Sequence, residues 1–475
     1  MPTNRSDTLY QPAYLNMLDQ LDHAPLLATR LAEVARLQGL IRRLWPKGHP
    51  TKFIHVAGTS GKGSVCKFLE AGFGLVGHAG SYTGPHVFDY RERISVNGRP
   101  VTPAELVAAW EDVVWPLCIE LAADGPHRVP GYGELGLLLS LVLFDRRGVL
   151  WAAMETGCGG RYDCRMALPV TAAVLTNVRD DHPGTLGSEL WQRAIEKAGV
   201  ARPDTPLFTM EHEGIAATTI ADLAAHLGAE LTVVGPNRVA AVDSSLRDDI
   251  PELAADSLLH ATHQRANAAL ALAVVTRLLP QIDRAEMLRR IATMSYAGRF
   301  QQLAPDLYVD AAHNVDKVAA LAAEVADRFG ADKKPVFVVG LSNGRDGGAV
   351  CGSLLPHAAA MVVSQPGYKG VPAALLATSL RQHQDAGKLA SKLASKLDIL
   401  VEPNPAHAVT RAREMAKKLG TVVIVTGSMY MIDEALNPNP YLRHLNASYG
   451  WRHKAPGQPS GGSEMLLQAV LGTGA

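Results

Sequence analysis

The sequence predicts an α/β protein with a mostly parallel sheet and a second, smaller α/β unit after it, and three observations carry that expectation. Short apolar runs alternate with helix-length stretches, the rhythm of βα units feeding a parallel sheet. One run, Phe53–Val56, leads directly into the glycine-rich loop GTSGKGS, Gly58 to Ser64, and then into a helical stretch. From about Leu307 the alternation restarts with cleaner punctuation. A chain of 475 residues also exceeds what one compact core usually holds.

In chain order, Leu27, Leu31, Val34, Leu37, Ile41 and Leu44 recur at spacings of three and four, an amphipathic helix that stops near Pro46. Phe53–Val56, Leu150–Met154, Ala172–Leu175 and Leu207–Phe208 read as strands. The longest apolar run, Leu135–Phe144, is far short of the ~20 residues that span a bilayer. A helical run, His263–Leu279, leads to a hinge at Ser295 to Arg299. The second strand series is Leu307–Val309, Val336–Val339, Met361–Val363, Ile399–Val401 and Val422–Val425. KLASKLASKL, Lys388 to Leu397, reads as a solvated surface helix, and Ala455–Ser463 as a flexible connection to a short helix at Glu464–Leu471. The chain thus divides into residues 1–297, 298–440 and a tail, 441–475.

Composition narrows the partners. Forty-six basic residues balance 46 acidic ones, so a general nucleic-acid or anionic-membrane binder, which carries a basic surplus, is not expected. Small-molecule substrates are. Five scattered cysteines with no CxxC argue against a disulfide framework or a zinc site. With no export-type apolar core at the N-terminus, a cytoplasmic location is expected.

Three segments carry chemistry. In the first, Gly58, Thr59, Ser60, Gly61, Lys62, Gly63 and Ser64 form a strand–loop–helix phosphate site: the glycines let N–H groups turn towards phosphate oxygens, and Lys62 reaches the terminal phosphates. Its spacing departs from a regular Walker A. The second is METGCGGRYD, Met154 to Asp163, where Glu155 closes a strand and reads equally as a Mg²⁺ ligand or as an ion pair with Arg161. The third runs from Thr176 to Gly199, with Asp180, Asp181 and His182 at a strand end as candidate metal ligands and Lys197 in a following helix.

Taken with YTGPH (Tyr82–His86), ERISVNG (Glu92–Gly98), HQRANAALAL (His263–Leu272), GRF (Gly298–Phe300), DAAHN (Asp310–Asn314) and TGSMY (Thr426–Tyr430), these segments resemble the folylpolyglutamate synthase and dihydrofolate synthase family of the Mur ligase superfamily. The match is collinear over roughly residues 14–435. It implies a P-loop ATPase domain of Mur ligase central type and a smaller Rossmann-like C-terminal domain. It implies an ATP-dependent ligase: the acceptor carboxylate becomes an acyl phosphate, which the amine of L-glutamate attacks. Lys62 would bind the β and γ phosphates and Ser64 the nucleotide and its metal, while Glu155 and His182 would hold two Mg²⁺ ions. Lys197 aligns with the family lysine that forms a carbamate, whose negative charge can sit near metal. Gln264 and Asn267 resemble the ATP-contacting pair, Arg299 the residue reaching phosphate, Asp310 the ribose contact, and His313 and Ser428 the grip on glutamate. A monomer is implied.

Three departures bear on the substrate. Gly84 stands where the family has a metal-ligating serine, a role that water or the Thr83 hydroxyl would have to fill. Gly133-Glu134 replaces an aromatic-glutamate pair, and Tyr162 to Met166 (YDCRM) replaces LDATN, so Gly133, Asp163 and Arg165 reshape the acceptor pocket. Ala311 for the usual glycine says little. A folate-like acceptor is the first expectation, with a non-folate acceptor and a nucleotide-binding pseudoenzyme as alternatives.

Overall fold

The computed structural model describes residues 12–22, 31–125, 128–180, 183–250, 253–254, 256–330, 332–342, 344–390 and 397–438. The expected tail at 441–475, the residues 391–396 of the lysine repeat, and Leu27 lie outside them.

The first sheet contains β1 (Lys52–Ala57), β2 (Ala79–Tyr82), β3 (Ile94–Val96), β4 (Arg99–Pro100), β5 (Trp151–Glu155), β6 (Ala172–Leu175), β7 (Leu207–Met210) and β8 (Leu231–Val234), in the order β4-β3-β2-β5-β1-β6-β7-β8. The pairs β2–β3 and β3–β4 are antiparallel and the others parallel. Alternation along β1 explains why its faces are both apolar. Phe53 and Ala57 enter one core together with the helix Tyr132–Arg146. Ile54 and Val56 enter the opposite core, shared with the helices Lys62–Phe73 and Thr262–Leu278. The run Leu135–Phe144 is buried along its whole length in the helix Tyr132–Arg146, so its apolar character comes from packing on all sides.

The second sheet contains β9 (Gln301–Ala304), β10 (Leu307–Val309), β11 (Val336–Val339), β12 (Ala360–Val363), β13 (Ile399–Val401) and β14 (Val423–Thr426), in the order β13-β12-β11-β14-β10-β9. It is parallel apart from the β9–β10 pair. Its two cores lie on opposite faces, and Val87, from the loop after β2, is buried in one of them beside Val309 and Ala311. The Asn437 side chain donates to the Phe88 carbonyl at 2.9 Å. A loop of the first sheet is thereby built into the second.

This arrangement positions the site. The strand β1 lies between β5 and β6, so the loop that leaves its C-terminal end is flanked by the ends of both neighbours. Ligands gather at such points in parallel sheets. In the second sheet β10 lies beside β14, which brings Asp310–His313 next to Gly427 and Ser428.

His55 is the exception within β1. It is fully buried, neither ring nitrogen has a hydrogen-bond partner, and burial, with Arg202 and Arg165 nearby, lowers its pKa to about 3. The folded state holds the ring neutral while the unfolded chain binds a proton below about 6.5. Stability therefore falls as pH drops from about 6.5 towards 3. Replacement by methionine, His55→Met, is expected to flatten that acid limb by up to about 1.4 kcal/mol per pH unit in urea melts run between pH 7 and pH 4.

Candidate functional site

The loop after β1 bends through backbone that L side chains avoid: φ is 140° at Gly58 and 82° at Gly61. There is no room for substitution either. A Cβ on Gly58 would lie 1.9 Å from Thr176 Oγ1, and one on Gly61 would lie 2.6 Å from Asn267 Oδ1. The end of β6 and the residues after it brace the turn. Thr176 Oγ1 donates to the Ser60 carbonyl at 2.6 Å, Asn177 Oδ1 accepts from Ser60 N at 2.9 Å, and the Asn177 carbonyl accepts from Thr59 N at 2.9 Å. Thr59 Oγ1 accepts from Arg179 N at 3.1 Å.

Two ammonium groups converge on one carbonyl of this loop. Lys62, the first residue of the helix Lys62–Phe73, places Nζ 3.0 Å from Gly58 O, and Lys197, from the helix Leu190–Ala198, places Nζ 3.3 Å from the same oxygen. Lys197 is 1% exposed. Like charges held so close in a buried place repel each other, and an anion between them relieves the repulsion. The N-terminus of the Lys62–Phe73 helix lies at the same spot and adds the positive end of its dipole.

Glu155, at the end of β5, faces the loop: Oε1 is 3.9 Å from Lys62 Nζ, and Oε2 accepts from Gly84 N at 2.9 Å. The alternative pairing with Arg161 is not formed, since that guanidinium lies over the Tyr162 ring at 5.0 Å. Ser64 is buried on the loop's helix. Among the described residues no cluster of three or more His, Cys, Asp or Glu side chains is placed to hold a metal. One carboxylate and one hydroxyl beside a phosphate loop nevertheless suit Mg²⁺, which takes hard oxygen ligands, one or two carboxylates, and the nucleotide's phosphates. His182 and Asp181 lie outside the described residues. Asp180 faces solvent, 3.4 Å from Arg193.

Gly84 carries its function through the backbone. Its amide holds Glu155, and a side chain there would meet Arg93 Nη1 at 2.7 Å. Thr83 is buried, and its hydroxyl lies 3.5 Å from the Glu92 carbonyl.

Gln264 and Asn267 sit together on the helix Thr262–Leu278, with Asn267 Nδ2 donating to Gln264 Oε1 at 3.0 Å, and Asn267 lies directly against Gly61. The hinge follows the helix Arg284–Ala292. Within it Arg299 lies over the Tyr296 ring at 5.3 Å and donates to the Gly298 carbonyl. Asp310 braces this turn: its carboxylate accepts from Phe300 N at 2.9 Å and Ala312 N at 2.8 Å. Burial raises its pKa, opposed by Arg299 and by those two amides.

Across the hinge, His313 Nδ1 lies 2.8 Å from the Ala311 carbonyl, which can only accept, so Nδ1 carries the proton and Nε2 faces Lys317 Nζ at 3.2 Å. Burial, reinforced by the Lys317 charge, lowers its pKa to about 3. The Ser428 hydroxyl caps the helix Met429–Leu436 by accepting from Met431 N at 3.0 Å.

The three acceptor-pocket residues are also neighbours. Gly133 lies 3.9 Å, measured from an added Cβ, from Cys164 Sγ. Asp163 Oδ1 accepts from Arg165 N at 2.9 Å, Oδ2 from Gly157 N at 2.8 Å, and Arg165 Nη1 bridges both at 3.2 and 3.4 Å. The Arg165 guanidinium lies 4.9 Å over the Tyr82 ring, with its Nε buried and without a partner. Glu134 is bound by Arg36 at 2.7 and 2.8 Å. The aromatic face absent at Gly133 has a neighbour in Tyr132, whose ring already stacks against Arg93 at 5.5 Å.

The sequence motifs did not single out Thr176 and Asn177 as loop braces, nor Tyr296 and Lys317. The TNVR segment contained Thr176 and Asn177 and the hinge Tyr296, but Thr176 and Asn177 act on a loop more than a hundred residues away, and Lys317, one helical turn after His313, lies just past the DAAHN segment.

Known proteins agree with this geometry. Residues 298–429 match the model of the Mur ligase glutamate ligase domain. A probable bifunctional folylpolyglutamate synthase/dihydropteroate synthase of Haloferax volcanii is 30% identical over 415 residues, 84% of this chain. This chain spans only 47% of that relative's length. The dihydrofolate synthase/folylpolyglutamate synthase of Bacillus subtilis is 27% identical over 428 residues, covering 84% of this chain and 93% of its own length. Folylpolyglutamate synthase of Mycobacterium tuberculosis, complexed with ADP, shares the fold with a TM-score of 0.75 at 23% identity over 92% of this chain and 98% of its own. The bifunctional folylpolyglutamate synthase/dihydrofolate synthase of Yersinia pestis, complexed with AMPPNP and Mn ion, gives 0.68 at 26% identity over 93% and 98%. Residues 298–429 thus carry a Mur ligase glutamate ligase domain, and the chain as a whole is similar, in fold and along both sheets, to folylpolyglutamate synthases and dihydrofolate synthases.

Proposed function

We propose that the protein is an ATP-dependent amide ligase that joins L-glutamate to the carboxylate of a folate-like acceptor through an acyl phosphate. The observation that carries this reading is the convergence of Lys62 and Lys197 on the Gly58 carbonyl, in a glycine loop beside Glu155. Such a centre suits the phosphates of a nucleotide. The Mycobacterium tuberculosis protein is complexed with ADP and the Yersinia pestis protein with AMPPNP and Mn ion.

In the reaction, an oxygen of the acceptor carboxylate attacks the γ phosphorus of ATP and ADP departs. The amine of glutamate then adds to the acyl carbon, and the tetrahedral intermediate collapses to the amide and inorganic phosphate. Most of the work is positioning and charge neutralisation. Lys62 turns from the Gly58 carbonyl to the β and γ phosphates, and the loop amides orient them. Ser64, Glu155 and His182 would hold divalent cations, which supply Lewis-acid stabilisation of the transferring phosphoryl group when bound. Gln264 and Asn267 wall the nucleotide on one side, and Arg299 reaches it from the hinge, where Asp310 fixes the turn and the ribose side. His313 and Ser428, with Lys317 beside them, lie at paired strand ends where the glutamate carboxylates would be held. His313 stays neutral across the working pH range, so it serves as a hydrogen-bonding group rather than a charge. Carbamylation of Lys197 would turn one of the two crowded ammonium groups into an anion facing metal. The reading carries with it a cytoplasmic, monomeric enzyme.

One observation favours a second reading, a ligase of the same kind with a non-folate acceptor. Arg165 occupies both oxygens of Asp163, so that carboxylate has little capacity left for a donor-rich ring such as a pterin. Phosphate release from MgATP, measured with glutamate and either tetrahydrofolate or dihydropteroate, decides between them: release that depends on a pterin supports the first, and release with neither sinks it.

Two variants test the centre itself. Lys62→Ala is expected to lower kcat by about 100- to 1000-fold, the usual cost of one transition-state donor. Lys197→Ala should lower kcat while leaving ADP affinity within a few-fold, and an equal loss in both would count against a carbamate. For the loop, Gly58→Ala forces a methyl group into Thr176, and calorimetry is expected to show at least a tenfold loss of ADP affinity in a chain that still melts cooperatively.

A further inference from the structure

Arg328 belongs to no motif, yet its guanidinium joins the two sides of the hinge. It stands near the end of the helix Val315–Phe329. One of its nitrogens, Nη2, donates to the Glu324 carboxylate on the same helix and, at 3.2 Å, to the carbonyl of Ser257, on the first sheet's side of the hinge. The guanidinium carbon lies 4.2 Å over the Phe300 ring. The Arg328 and Glu324 side chains are only 10% and 7% exposed. A buried ion pair is a costly way to obtain stability alone, because apolar side chains of similar size pack as well without the desolvation. Its contacts give another reason for it. Towards the first sheet, Ser257 opens the turn Leu258–His260, and Arg265 Nη1 donates to the carbonyls of Leu259 at 3.1 Å and His260 at 2.6 Å, which locks that turn to the helix Thr262–Leu278 that carries Gln264 and Asn267. Towards the second sheet, Phe300 is buried and donates its N–H to Asp310 Oδ2 at 2.9 Å.

We propose that Arg328 is a positioning residue that sets the helix of Gln264 and Asn267 against the turn of Phe300 and Asp310, and so governs how tightly the nucleoside part of the nucleotide is held between them. This rests on the reading of Gln264, Asn267 and Asp310 as nucleotide contacts. Those residues come from opposite sides of the hinge, so the width of the space between them depends on whatever ties the sides together. Arg328 does so with a hydrogen bond on one side and a stacked ring on the other. The phosphate loop has separate supports, Thr176 and Asn177, which reach it from the end of β6. Phosphates and nucleoside therefore depend on different braces, and loss of Arg328 weakens one and spares the other.

The test uses the full chain and two probes, ADP and inorganic pyrophosphate, each titrated by calorimetry. Replacing Arg328 alone would strand the Glu324 carboxylate in the interior, so the pair is exchanged together for apolar side chains, Arg328→Met with Glu324→Leu. This double variant is expected to bind ADP about tenfold more weakly, the scale of one hydrogen bond from a charged group, and pyrophosphate within twofold of wild type. Arg328→Lys keeps Glu324 paired but gives up the flat face on Phe300, and should be about threefold weaker for ADP. Glu324→Gln keeps an acceptor for Nη2 and leaves Arg328 on Ser257 and Phe300, and should hold both affinities within twofold. ADP affinity unchanged in the double variant or in Arg328→Lys overturns the proposal, as do equal losses for ADP and pyrophosphate, or a loss in Glu324→Gln as large as in the double variant. A wild-type chain that binds neither probe overturns the nucleotide reading beneath it, and one that binds pyrophosphate as tightly as ADP overturns the placing of the nucleoside between these walls. Both results are visible before any variant is made.

Discussion

The structure turns on a carbonyl. Gly58 presents its oxygen to two ammonium groups, and everything nearby exists to make that crowding tolerable or useful. Left alone, two buried cations at one acceptor are a cost to the fold, because the attraction of a neutral dipole does not cancel their repulsion. Glu155 offsets part of it from 3.9 Å. Only a glycine can turn at Gly58, only a threonine or serine could brace it as Thr176 does, and the sheet must put β5 and β6 on either side of β1 for Glu155 and Thr176 to arrive there together.

The second sheet is tied to this centre by short routes. The loop after β2 delivers Gly84 to Glu155 and, three and four residues later, Val87 and Phe88 to the other core and to Asn437. Gly298, in the hinge, packs against Val87 and accepts from Ala311 N at 2.8 Å through its carbonyl. Both connections cross between the sheets within a few residues of a group that the chemistry uses. Motion of one sheet against the other would therefore be felt first at Glu155, Arg299 and Asp310, the residues that would meet phosphate, metal and nucleotide.

Much of this was legible in the sequence, and what was not has identifiable causes. Val336–Val339, rich in β-branched residues and buried on both faces, matches its apolar run residue for residue, as does the less buried edge strand Ile399–Val401. The strand β2, Ala79–Tyr82, gives no such signal because its small residues are dictated from outside: a Cβ on Gly80 would lie 2.6 Å from the Phe144 ring. The strand β8, Leu231–Val234, is only partly buried at the sheet's edge. In the site, loop and lysines were readable because the chemistry fixes residue type and spacing. The partners of Glu155 were not. Sequence proximity favoured Arg161, whereas the fold supplies an amide from 71 residues earlier. Side chains that act by packing leave no spacing to read.

The acceptor side shows how a family site can keep its residues and lose their availability. Asp163 is present, but its oxygens are spent on the Gly157 and Arg165 amides and on the Arg165 guanidinium. An aspartate so saturated is worth more to the turn Cys164–Ala167, which it caps, than to a ligand. The polar capacity left over is a donor, the buried Arg165 Nε, which lies against Tyr82, the residue preceding Thr83 and Gly84. That donor sits on a side chain whose charge is already paired with Asp163. Net charge of the chain gives no hint of this, since one arginine among 46 basic residues balanced by 46 acidic ones changes nothing in the sum. What such a sum hides is which charges are buried and how they are paired.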